Sequence, residues 1–154
     1  MNIAKFLKVN LGIALMAVIL IGTSACKKNN AQPDTKPPLY GDWKELNLNA
    51  GLERIVSFGS NDSFKLTVVN STVPSIVIST YTGTYIVKND NVEVKVNQEV
   101  VTKDKVVIST TAVNSSLFDK GTYKVENNVL TLKYITYPAD APVNTEATFK
   151  RFIE

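Results

Sequence analysis

The chain has 154 residues, with 17 Lys and Arg against 14 Asp and Glu, one cysteine, no histidine and a mean hydropathy of +0.00. Without histidine, and with a single thiol, it lacks the usual ligands for zinc, copper and haem, and a Ser-His-Asp hydrolase is excluded. No cofactor and no metal site are expected.

The net charge of +3 is unevenly spread. Residues 39–154 carry 12 Lys and Arg against 13 Asp and Glu, so the excess positive charge belongs to the first 38 residues. No basic patch or Gly-rich phosphate loop is present, which argues against nucleic acid as a partner.

At the start of the chain, Lys5 and Lys8 precede an uncharged apolar run from Leu11 to Gly22, and then the small residues Thr23, Ser24 and Ala25. This order is that of a secretory signal peptide, residues 1–25. Twelve residues at about 1.5 Å each give a helix of about 18 Å, short of a hydrocarbon core of about 30 Å. Thr23-Ser24-Ala25-Cys26 resembles the lipobox of bacterial lipoproteins, in which the chain is cut before a cysteine that then carries acyl chains such as palmitate. Cys26 has no disulfide partner in the sequence, in keeping with acylation and a membrane anchor. Residues 26–38 (CKKNNAQPDTKPP) continue as a polar, proline-bearing tether. Lipoproteins exported to the cell surface resemble one another in an acidic cluster after the cysteine. Lys27 and Lys28 stand there instead, which favours an outer-membrane protein facing the periplasm and leaves the cell surface open.

From Leu39 onward, short Val-, Ile-, Thr- and Tyr-rich runs alternate with Asn, Asp, Gly and Ser. The spacing predicts strands near 40–47, 52–58, 63–70, 75–87, 92–101, 105–114, 121–126, 129–136 and 146–153, and no helix. Phe64-Leu66-Val68, Val92-Val94-Val96, Val106-Ile108-Thr110 and Leu130-Leu132-Tyr134 fall on one face of their strands. Asn61-Asp62, Asn89-Asp90-Asn91, Lys103-Asp104 and Asn127-Asn128 supply turn residues. Residues 83–96 and 121–134 align without a gap, each a strand opened by Gly-Thr-Tyr, an Asn-rich turn and a second strand. Duplication and convergence both account for that likeness. The 116 residues of 39–154 suit one all-β domain, a small antiparallel up-and-down barrel of about eight strands or a two-sheet sandwich; the alternation fits both.

Leu39-Tyr40-Gly41-Asp42-Trp43-Lys44 opens this region, followed by Phe58-Gly59-Ser60-Asn61-Asp62-Ser63-Phe64 and by the two Gly-Thr-Tyr hairpins. The order resembles the small lipocalin-like domains of bacterial lipoproteins and covers nearly all of residues 39–154. The resemblance implies a barrel whose base is closed by Trp43 stacked with Arg151, both structural.

Candidate ligand-binding residues are Tyr81, Tyr85, Tyr123 and Tyr134, which either line a cavity with apolar walls and hydroxyls or fill the core of a small barrel. The carboxylate pairs Glu45/Glu53 and Glu99/Asp104 flank turns without an aromatic cleft, so no catalytic residue and no enzymatic activity are expected. The stretch Val73 to Ile78 reads as a buried strand or a protein-binding edge. Two functions remain: a lipid-anchored envelope protein holding a small apolar or amphipathic ligand, or a filled barrel that binds an envelope protein.

Overall fold

The computed structural model describes residues 38–71, 74–139 and 141–152. The expected signal peptide, Cys26 and the expected tether up to residue 37 lie outside the described residues. β-Branched and aromatic side chains at alternate positions favour extended backbone, and eight strands form: β1 (Gly41–Glu45), β2 (Leu52–Phe58), β3 (Ser63–Asn70), β4 (Val77–Lys88), β5 (Asn91–Lys103), β6 (Val106–Glu126), β7 (Val129–Thr136) and β8 (Val143–Phe152). Each pairs antiparallel with the next, and β8 returns to β1 through Trp43↔Arg151 and Lys44↔Lys150. The result is a closed up-and-down barrel. The sandwich alternative fails because β1 and β8 bond to each other, so the sheet has no pair of outer strands to divide it in two.

Two-residue turns set the register. Asp104-Lys105 and Asn127-Asn128 both have positive φ at each position, the geometry that matches the right-handed twist of flanking strands. The aligned segments 83–96 and 121–134 are the β4–β5 and β6–β7 hairpins. At the Thr82/Gly83 register shift the backbones approach so closely that a Cβ on Gly83 would lie 1.9 Å from the Lys95 carbonyl oxygen.

One expectation needs correction. Residues 105–114 and 121–126 are not separate strands but parts of β6, the longest in the barrel. Ser115-Ser116 and Asp119-Lys120-Gly121 have the composition of a connection, yet Ser115, Ser116 and Leu117 stay on the β5 ladder opposite Val96, Lys95 and Val94. The interruption is a bulge: Phe118 and Lys120 take positive φ (56° and 49°), and the β6–β7 register shifts between Asp119 and Thr122. The bulge turns the buried Phe118 ring into the barrel.

Inside, Trp43, Val56, Phe58, Phe64, Tyr85, Val92, Val94, Leu130, Leu132 and Phe149 form one core, each nearly fully buried. Each such side chain contributes about 1.5–3 kcal/mol of burial. Tyr85, Phe58, Phe64, Phe118 and Tyr134 follow one another with ring centroids 5.0–6.2 Å apart. The core and every ladder lie within the unit Lys36–Glu154, so this unit folds on its own.

The end of the barrel at which the chain enters is closed. Trp43 Nε1 donates to the Leu39 carbonyl at 2.8 Å, and the Arg151 guanidinium lies 4.2 Å from the Trp43 ring centroid. Arg151 Nη1 also donates to the Tyr40 carbonyl at 2.9 Å. Gly41, at φ +122°, has room for this guanidinium only because it has no Cβ; one would lie 2.5 Å from Nη1. Arg151→Met removes the stacked cation and its charged hydrogen bonds, with an expected loss of about 2 kcal/mol at an unchanged denaturant slope in urea unfolding. An unfolding midpoint equal to that of the wild type would show that the clamp adds nothing to stability.

Candidate functional site

Along β1, β2, β7 and β8 the inward positions are apolar near the closed end and turn polar toward the other. On β1 the inward residue after Trp43 is Glu45. On β2, Arg54 precedes Val56 and Phe58 in the same phase, and on β7 and β8 Thr136 and Thr145 continue the inward rows above Leu132 and Ala147. The two threonine hydroxyls are hydrogen bonded at 2.8 Å. The open end is therefore a polar mouth over an apolar floor.

A cavity of about 520 Å³ opens there, lined among others by Arg54, Leu66, Phe118, Tyr134 and, on the β6–β7 side, Asp119 and Tyr137, whose hydroxyl donates to the Asp119 carboxylate. A larger depression of about 790 Å³ runs past Lys124, Glu126, Lys133 and Glu146 on the outside of the barrel, where the charged lining is solvated. The mouth cavity has the composition of a binding site: an apolar surface with a few convergent polar groups.

Arg54 Nη1 lies 2.8 Å from Glu45 Oε2, and only 9% of the Glu45 side chain is exposed. The contact is close but poorly aligned, and that same oxygen has no directed hydrogen bond. It is an ion pair held by charge rather than by a fork of donors. Burial raises the Glu45 carboxyl above the usual carboxylate range, and the Arg54 charge opposes part of that rise. The guanidinium thus has one loosely oriented partner and faces the cavity with its remaining donors.

The four predicted tyrosines divide by height. Tyr134 lines the cavity, edge-on to Phe118. Tyr81 stands at the open end opposite Glu99, and burial first, then the Glu99 carboxylate, pushes its hydroxyl up. Tyr85 and Tyr123 are at the closed end. Tyr85 is buried and donates to the Gly59 carbonyl at 2.9 Å, and both hydroxyls are raised chiefly by burial. Four residues of strand span about 13 Å, so Tyr81 and Tyr85 share a face but not a site. Trp43 and Arg151 form the base clamp, away from the cavity.

The carboxylate pairs come apart. Glu53 is on the outer face with Lys44 at 2.6 Å, whereas Glu45 points inward. Glu99 faces Tyr81 across the ladder, and Asp104 sits in the β5–β6 turn, accepting the Ile76 amide at 3.0 Å. Among the described residues no group of three or more metal-ligating side chains gathers. In the stretch Val73 to Ile78, Val73 lies outside the described residues, Ile76 is exposed, and Val77 and Ile78 are half-buried at the start of β4.

Sequence reasoning passed over Arg54 and took Glu45 only as a turn-flanking carboxylate beside Glu53. The available signal was phase: each is a charged residue at the inward position of its strand, two residues from Val56 and Trp43. A carboxyl raised by folding adds stability below its unfolded pKa, and that contribution is lost as pH rises through the folded value. In an NMR titration, Glu45 is expected to titrate above the ordinary carboxylate range, and higher still in Arg54→Met. A midpoint in the ordinary range would mean that the carboxyl is hydrated.

Comparison with protein-family models, with curated proteins and with solved structures finds no match for this chain.

Proposed function

We propose that the chain is a lipid-anchored cell-envelope lipoprotein with a lipocalin-like domain, and that its barrel mouth binds a small amphipathic molecule carrying an anionic group without transforming it. The observation that carries this reading is the 520 Å³ mouth cavity in which Arg54 stands over Leu66, Phe118 and Tyr134. An apolar tail resting on those side chains would bring its anionic end to the guanidinium, a fork suited to carboxylate, sulfonate or phosphate oxygens. Closed-end packing limits the depth, so the ligand sits in the upper barrel and not along its whole axis.

Binding without chemistry fits the residue set: Glu45 is paired with Arg54, the Asp119 carboxylate at the cavity accepts the Tyr137 hydroxyl, and the sequence has neither a histidine nor a second cysteine. The described chain begins at Pro38, at the closed end, which fits an anchor at Cys26. An outer-membrane position facing the periplasm accords with Lys27 and Lys28 behind the cysteine.

Two experiments test the reading. Anilinonaphthalene sulfonate, an apolar aromatic with a sulfonate, is expected to bind the unit Lys36–Glu154 saturably. Arg54→Met should weaken it about tenfold, the scale of one charged hydrogen bond, while Glu45→Gln, which frees the guanidinium, should tighten it. Equal affinity in all three proteins would remove Arg54 from the site. Separately, Cys26→Ser should move the full chain from the membrane fraction to the soluble one; retention in the membrane fraction would end the lipoprotein reading.

A further inference from the structure

The mouth cavity is bordered by a fork in the sheet. β7 pairs with β6 only from Asp119 onward, opposite Ile135, and among the described residues no strand borders β6 on that side from Val106 to Leu117. The cavity runs into this fork, so its lining includes residues 116–119 of β6 and residues 134–137 of β7 and its end. Phe118 and Lys120 take positive φ on either side of Asp119. Phe118 turns into the barrel, Lys120 lines a neighbouring depression with Lys133 and Glu146, and Asp119 is left at the cavity. Across the fork, the 64% exposed Tyr137 donates its hydroxyl to one oxygen of the Asp119 carboxylate.

Two unlike charges therefore line one cavity. Arg54 has donors left over from Glu45, and Asp119 has a second carboxylate oxygen that accepts no hydrogen bond among the described residues. No lysine or arginine among them forms an ion pair with Asp119. A phenol is neutral, so the Tyr137 bond orients the carboxylate and leaves its charge uncompensated. Counting Glu45, the mouth holds two carboxyl groups against one guanidinium. A purely anionic ligand is held by Arg54 and repelled by Asp119, whereas a ligand that also carries a cation is attracted by both. The rings of Tyr134 and Tyr137 stand in the same lining and add aromatic surface for an ammonium.

We propose that Asp119 is the second charge-reading residue of the mouth and that the ligand is a zwitterionic amphiphile, with its anionic group on Arg54, its ammonium on Asp119 and its apolar part on Leu66, Phe118 and Tyr134. The inference rests on the mouth-binding reading above and narrows it from anionic amphiphiles to those that also bear a cation. Tyr137 is a positioning residue, since its hydroxyl holds the carboxylate on the β7 side of the fork, at the cavity. Specificity then comes from a penalty as well as an attraction: Asp119 disfavours the ligand that lacks the ammonium.

Decyl sulfobetaine and decyl sulfonate share an alkyl tail and a sulfonate, and only the first has a quaternary ammonium. In calorimetric titrations below their micelle concentrations, the wild-type unit Lys36–Glu154 is expected to bind the sulfobetaine about fivefold more tightly, the scale of one half-exposed ion pair. Asp119→Asn keeps an oxygen for the Tyr137 hydroxyl and should weaken the sulfobetaine while tightening the sulfonate, so that the preference disappears. Arg54→Met should weaken both. Three outcomes would overturn the zwitterion proposal and leave Arg54 in the site: sulfonate bound as tightly as sulfobetaine by the wild type, a comparison that needs no variant; a preference that survives Asp119→Asn; or both probes weakened alike by Asp119→Asn, which would make Asp119 structural. Absence of binding by either probe, or indifference of both to Arg54→Met, would overturn the mouth reading and this inference with it.

Discussion

The barrel depends on one junction, the pairing of β1 with β8. Every other ladder joins strands that are consecutive in the chain and closes a short loop, whereas this one joins residues more than a hundred positions apart and orders nearly the whole domain when it forms. The side chains placed there match that role. Trp43 is the largest fully buried side chain among the described residues, its indole N–H is satisfied by Leu39, and Arg151 covers the ring while donating to the Tyr40 carbonyl. Gly41 belongs to the same device, because a Cβ at that position would occupy the place of the guanidinium. The Gly-x-Trp spacing is thus a steric requirement of closure.

Closure at one end leaves the other to differ. Large rings pack the lower barrel, and the inward rows end in Glu45, Arg54, Thr136 and Thr145, where water reaches the walls. An ion pair in this position is not a strong source of stability, since desolvation of the two groups offsets much of their attraction. In the proposed function its partly desolvated state would matter instead for anion binding, because a guanidinium with one poorly aligned partner has donors to give. The same residues would be ordinary surface charges if the rows beneath them did not form a floor.

The Phe118 bulge links the mouth with the free edge of β6. A bulky residue at positive φ costs on the order of 1–3 kcal/mol, and here the ring it turns inward packs against Phe64 and Tyr134. Phe118 thereby forms part of the cavity lining while the strand above it leaves β7. Cavity shape and edge exposure are two consequences of one local backbone distortion.

Much of this architecture was legible in the linear chain. Period-two alternation located the strands, Asn and Asp pairs located the tight turns, and the absence of any helical period settled the all-β class, because these signals depend only on neighbouring residues. The order of Gly-x-Trp and a late Arg also pointed to the base. Three matters waited for the tertiary structure. Barrel and sandwich share the same alternation, and only the β1–β8 register separates them. The segment 115–120 has the composition of a loop and was held as strand by pairing with β5, a contact between residues about twenty positions apart. Last, alternation tells which face a side chain takes but not its height in the barrel, so Tyr81, Tyr85, Tyr123 and Tyr134 looked equivalent when only Tyr134 lines the cavity. Arg54 and Glu45 looked like solvated charges until closure of the barrel set them face to face inside it.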